Sequence, residues 1–166
     1  MYRTIQDFLN DWTQENNSTL RVFKNLTDAS LKQKVSAEGR SLGHLAWHIV
    51  LTLGEMGDKA GLKVNAPLEN APDPNTASLI VEAYEKAGLS LASEVKQKWN
   101  DGMLLEEINM YGEKWTRTAT LASIVKHQIH HRAQMTVLMR QAGLKVPGIY
   151  GPSREEWSQY GMPTQE

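Results

Sequence analysis

Apolar residues recur every three or four positions along most of this chain, and no segment sustains the every-second-residue alternation of a half-buried strand. That period predicts helices packed on one another. Ile5, Phe8, Leu9, Trp12, Thr19, Leu20, Phe23 and Leu26 mark a first helix over about residues 4–26, with a polar gap from Glu15 to Ser18. Thr4 followed by Asp7 is a start signal. Residues 28–34 have room for one short turn. Ser41 is placed to cap a second helix striped by Leu42, Leu45, Ile49, Leu53 and Met56. Thr76 is placed to cap a third, carrying Leu79, Ala83, Ala87, Leu91, Val95 and Trp99 and stopping at Asn100-Asp101-Gly102. An irregular piece from Met103 to Arg117 precedes a fourth helix over about residues 118–142, which Gly143 ends. Ser153 with Glu156 reads as a capping box for a short last helix.

These elements predict an all-α fold, a four-helix bundle with short extra helices, in one domain over residues 1–166. The stretch from Gly57 to Asn75, with Pro67, Pro72 and Pro74, is long enough for a crossover connection instead of a hairpin, and also for a lid. The chain has 166 residues, 40% hydrophobic and 22% charged, which is ordinary globular usage and excludes the disordered and low-complexity classes. A formal net charge of −1 gives no overall handle on nucleic acid. The absence of cysteine removes disulfides, thiolate ligands and a cysteine nucleophile together. No apolar run reaches the length of about 20 residues that a bilayer needs, and the start lacks a signal-peptide pattern, so a cytoplasmic protein without membrane or nucleic-acid partners is expected.

All five histidines fall in two helical segments: His44 and His48 in the second, His127, His130 and His131 in the fourth. Residues four apart share a helix face, so each segment offers a pair able to direct imidazoles at one ion. On a wheel of about 100° per residue, His131 lies roughly 20° and His127 roughly 60° from Ile124, while His130 lies about 120° away. His127 and His131 therefore face inward. On the second helix His48 is one step of about 40° nearer the apolar stripe than His44. His48 is taken as the third ligand and His44 is kept in reserve. Three neutral imidazoles buried together would also leave polar nitrogens needing partners, and a metal satisfies them.

Ser41-Leu42-Gly43-His44-Leu45-Ala46-Trp47-His48-Ile49 and, much later, His127-Gln128-Ile129-His130-His131-Arg132-Ala133-Gln134 resemble the DinB/YfiT-like family of bacterial proteins. The second motif, HxxHHRxQ, is the more specific, with Ala133 where the family commonly has glycine. The resemblance extends over most of the chain, including the tail from Val146 to Gly151. It implies a four-helix bundle holding a divalent metal on three histidines, carried here onto His48, His127 and His131, and often a homodimer. It also implies thiol transfer: a low-molecular-weight thiol such as bacillithiol, mycothiol or glutathione, activated by the metal, attacks a small electrophile. The family's association with DNA damage concerns expression and implies no DNA binding.

A three-histidine site leaves an open position, and its occupant decides the chemistry. A thiol gives an S-transferase, the first expectation. Water gives a hydrolase, which needs a general base, with Glu55, Glu106, Glu107 and Glu113 as candidates. A fourth ligand such as His44 would close the site and make it a non-catalytic metal-binding module. Imidazole suits several ions; zinc is the first expectation and nickel the second. Tyr150 and Arg154, in the turn-rich tail, are candidate contacts for the thiol or substrate. Arg132 either orients a partner through charge-assisted bonds or serves at the surface. Trp12, Trp47, Trp99 and Trp115 read as core or interface residues, and Glu82, Glu85 and Lys86 as a solvated face.

Overall fold

Thr4 opens the first helix with a reciprocal pair of bonds: its hydroxyl accepts from the Asp7 N–H, and the Asp7 carboxylate accepts from the Thr4 N–H, each at 3.0 Å. In the computed structural model, which describes residues 1–164, this helix is α1, Ile5–Phe23. It stops before Leu26 because the chain tightens into turns, with the Leu26 N–H donating to the Phe23 carbonyl at 3.0 Å. A 3-10 turn at Asp28–Lys32 follows, and then α2, Leu42–Lys59, capped as expected by the Ser41 hydroxyl on the His44 N–H.

The third helix, α3, spans Ala77–Lys98. Thr76 stands at its N-cap position, yet its side chain makes no capping bond. Asp28 does that work from a distance, its carboxylate accepting from the Ala77 N–H at 2.8 Å. The fourth helix, α4, spans Arg117–Gln141 and is capped by Thr116. Its end is a Schellman turn: the Leu144 N–H donates to the Met139 carbonyl at 2.9 Å, and Gly143 takes φ 74°, a conformation that costs glycine little. Near the tail only half of the expected capping box forms. The Glu156 carboxylate accepts from the Ser153 N–H at 3.0 Å, and a 3-10 turn, Trp157–Tyr160, follows.

The irregular piece between α3 and α4 contains a small sheet within the mostly helical fold. Glu107–Met110 (β1) and Glu113–Thr116 (β2) form an antiparallel hairpin with Met110 opposite Glu113. Its two-residue turn has Tyr111 at φ 54° and Gly112 at φ 84°, the positive-φ pair of a type I′ turn. Four-residue strands are too short to display a period, and tyrosine is an unusual occupant of that turn.

α1 packs on α3 and α4, and α2 also packs on α3 and α4. The pairs α1–α2 and α3–α4 therefore stand on diagonals. The crossings are made by residues 24–41 and 99–116, not by the Pro-rich stretch, which joins the neighbours α2 and α3. The Trp47 indole pins that stretch over α2 by donating to the Ala71 carbonyl at 3.0 Å. The core fills the space between all four helices with Phe8, Trp12, Phe23, Ile49, Leu53, Ile80, Leu91 and Leu121, each at most 2% exposed. Trp47 and Trp99 are buried at its edge. No described helix is long and apolar enough to cross a membrane.

Candidate metal centre

α2 and α4 lie side by side, and the facing imidazoles meet between them. His48 Nε2 and His127 Nε2 stand 3.1 Å apart. The ring centroids of His48, His127 and His131 are 4.9, 4.7 and 4.5 Å apart pairwise. One ring nitrogen from each lies within 4.8 Å of those of the other two. Tetrahedral zinc with Zn–N bonds of about 2.0–2.1 Å places its ligands roughly 3.3 Å from one another, so the spacing suits three ligands of one ion.

The neighbours set the tautomers. The Gln134 carbonyl oxygen lies 2.8 Å from His131 Nδ1, which fixes the proton there and leaves Nε2 as a lone pair. Thr52 donates its hydroxyl to the His48 carbonyl at 2.9 Å, so its oxygen is left to accept from His127 Nδ1 at 3.4 Å. Burial, reinforced by the other histidines, holds His48 and His127 down at about 4. Burial lowers His131 as well. All three rings are neutral near pH 7, the form that ligates metal. The donor set, its spacing and its tautomers fit a divalent cation.

The other two histidines are outside the nitrogen cluster, although the His130 ring lies 4.9 Å from that of His131. His44 turns its Nδ1 to the Asp73 carboxylate at 3.0 Å and stacks parallel to His48 at 6.4 Å between centroids. His130 is exposed and accepts from the Gln134 amide at 3.2 Å. Among the described residues no carboxylate hydrogen-bonds to any of the three central imidazoles. Glu55 binds the Tyr111 hydroxyl, Glu106 pairs with Arg117, Glu113 accepts from the Trp115 indole and Glu107 lies exposed on β1. Of the three central imidazoles, His131 lines a cleft of about 430 Å³ that also takes in His130, Gln134, Arg40, Leu45 and Leu138. A cleft of about 400 Å³ beneath the Pro-rich stretch, against Trp47, contains none of the histidines.

The DinB family profile matches residues 1–165. The chain belongs to the DinB family. It is 41% identical over 162 residues to the uncharacterized protein YrdA of Bacillus subtilis (strain 168), covering 98% of this chain and 97% of that protein. The crystal structure of a DinB-like protein from Bacillus cereus ATCC 10987 superimposes with a TM-score of 0.87 at 39% identity, over 90% of this chain and 100% of that one. A DinB-like protein of Bacillus subtilis, YjoA, shares the fold with a TM-score of 0.62 at 21% identity, over 82% of this chain and 92% of that one.

Within this DinB chain the HxxHHRxQ segment divides between two faces of α4. His127 and His131 face α2, and Gln134 holds His131 from beside it. Gln128 and Arg132 turn the other way. Gln128 accepts from the buried Tyr84 hydroxyl at 2.5 Å. Arg132, 3% exposed, donates to the Glu15 carboxylate at 2.7 Å and to the Thr19 hydroxyl at 3.1 Å. The polar gap read in the first helix is thus a buried polar patch: Glu15, Asn16, Ser18 and Thr19 are all buried. Its legible signal was a break in a helical stripe together with an arginine inside a histidine-rich segment. Tyr150 joins this patch, accepting from Arg132 at 2.7 Å and donating to Glu15 at 2.9 Å, while its ring stays exposed. Arg154 is exposed in the tail. Neither Tyr150 nor Arg154 lines the cleft at His131.

Proposed function

We propose that this DinB protein is a divalent-metal-dependent S-transferase that joins a low-molecular-weight thiol of the bacillithiol kind to a small electrophile. The observation that carries the reading is a three-imidazole cluster, neutral near pH 7, one member of which, His131, also lines a cleft. A divalent cation held there by His48, His127 and His131 would lower the pKa of a small thiol and favour its thiolate. Zinc is the first choice and nickel the second, on the affinity of imidazole for both. Gln134 and Thr52 keep the Nδ1 protons of His131 and His127 in place, so the lone pairs stay aimed at the centre. In the transfer the thiol proton passes to solvent. The sulfur then forms a C–S bond, and the electron pair of the broken bond leaves with the electrophile's leaving group or epoxide oxygen. The chain has no cysteine, so the sulfur has to come from outside. Tyr150 and Arg154 stand outside the residues on which this reading rests. The dimer implied by the family is part of the same proposal, and light scattering tests it.

The experiment is the loss of free thiol in the presence of monobromobimane or an epoxide. Zinc- or nickel-loaded protein should accelerate it over metal-free protein with at least one of bacillithiol, mycothiol and glutathione. No acceleration with any of the three ends this reading.

A further inference from the structure

The cleft beside His131 is asymmetric in charge. Its wall is apolar at Leu45 and Leu138 and polar at His130 and Gln134, and Arg40 is the only charged side chain of fixed sign among its lining residues. No Asp or Glu among the described residues lines it. Arg40 is exposed and forms none of the ion pairs found among the described residues. The volume, about 430 Å³, falls within the range of small-molecule sites.

We propose that Arg40 is the anion-recognising residue of this cleft and selects a carboxylate-bearing thiol, whose carboxylate pairs with the guanidinium while its sulfur faces His131. A guanidinium without a protein carboxylate retains its full set of donors, and its planar fork matches a carboxylate through two parallel bonds. Leu45 and Leu138 offer apolar surface to the short carbon segment between the two ends. For the donor atom the inference rests on the thiol reading. For the anion it rests on Arg40 alone.

The test uses cobalt(II)-loaded protein and the sulfur-to-cobalt charge-transfer absorption, titrated with 3-mercaptopropionate and with neutral 2-mercaptoethanol. The expected result is a preference of about tenfold or more for the anionic thiol, the size of one charge-assisted pair. Arg40→Gln should abolish the preference and Arg40→Lys should keep part of it. Arg40 is exposed, so circular dichroism should show all three proteins equally folded. Equal binding of the two thiols, or a preference unchanged in Arg40→Gln, overturns the proposal. If neither thiol produces the band, the thiol reading fails, and calorimetry with butanoate and butan-1-ol decides the anion separately. Butanoate binding that Arg40→Gln weakens by about tenfold upholds the anion site. Butanoate binding that Arg40→Gln leaves unchanged, or no binding at all, overturns it.

Discussion

Arg132 Nη2 on α4 stands 2.7 Å from Glu15 Oε2 on α1, and the two side chains are only 3% and 8% exposed. The pair sits one residue from His131, about 100° round the same helix. It therefore fixes the rotation of α4 about its axis, and with it the direction of both α4 imidazoles. Removing one member leaves the other as an uncompensated buried charge. Arg132→Met should cost about 3–5 kcal/mol in urea unfolding. Adding Glu15→Leu should recover most of that, because a buried ion pair replaced by apolar groups is often near neutral. A single variant as stable as the parent would show the pair to be energetically idle.

Ligation should follow the geometry of the nitrogen cluster. His48→Ala, His127→Ala and His131→Ala should each abolish stoichiometric zinc, read by competition with a chromophoric chelator. His44→Ala should retain it, since His44 is held by Asp73. Gln134→Ala keeps every ligand but releases the His131 tautomer, and should weaken zinc by about 10–100-fold. Metal retained in His48→Ala and lost in His44→Ala would reverse this assignment.

Acid should destabilise the metal-free protein over a defined window. His48 and His127 titrate at about 4 when folded, below the ordinary 6.5. As pH falls below 6.5 the unfolded chain takes up protons that the folded chain refuses until about 4. Urea midpoints of metal-free protein should therefore fall between those two values and the contribution should level off below the lower one. The same protons compete with the cation, so zinc should dissociate on acidification. A triple His48→Ala, His127→Ala, His131→Ala variant should lose this part of the pH dependence.

The hairpin turn supplies a prediction about stability alone. Gly112 at φ 84° tolerates no side chain without backbone strain. Gly112→Ala should cost about 1–3 kcal/mol. Tyr111 bears its own positive φ and is anchored by its hydroxyl on Glu55 at 2.9 Å. Tyr111→Asn exchanges that anchor for a residue better suited to the turn, and the difference in unfolding midpoint measures which effect is larger.

The helices were legible because a helix advertises its buried face at every turn, and the Thr4 and Ser41 caps were written next to the helices they serve. Asp28 on Ala77 was not, because that cap comes from 49 residues away. The hairpin was hidden by strands too short to alternate. Helix order was hidden because a stripe says which face is inward and not which helix lies opposite. The pairing of His127 with His131 followed from spacing, whereas the choice of His48 over His44 rested on one step of the wheel; His48 lies with the other two, and His44 meets Asp73. Glu15 and Arg132 eluded the sequence reading since polar residues on a helix resemble surface until both partners, 117 positions apart, are seen together. Nothing local to Arg40 distinguishes it from any loop arginine; only the shape of the cleft does.

The diagonal arrangement has a consequence for the order of assembly. During synthesis α1 emerges first and its lateral neighbours, α3 and α4, come last. The nitrogens of His48 and His127 belong to residues 79 positions apart. The nascent chain therefore has no place to gather three imidazoles round an ion until its final long helix has left the ribosome and docked, and any metal loading there would report on completed folding.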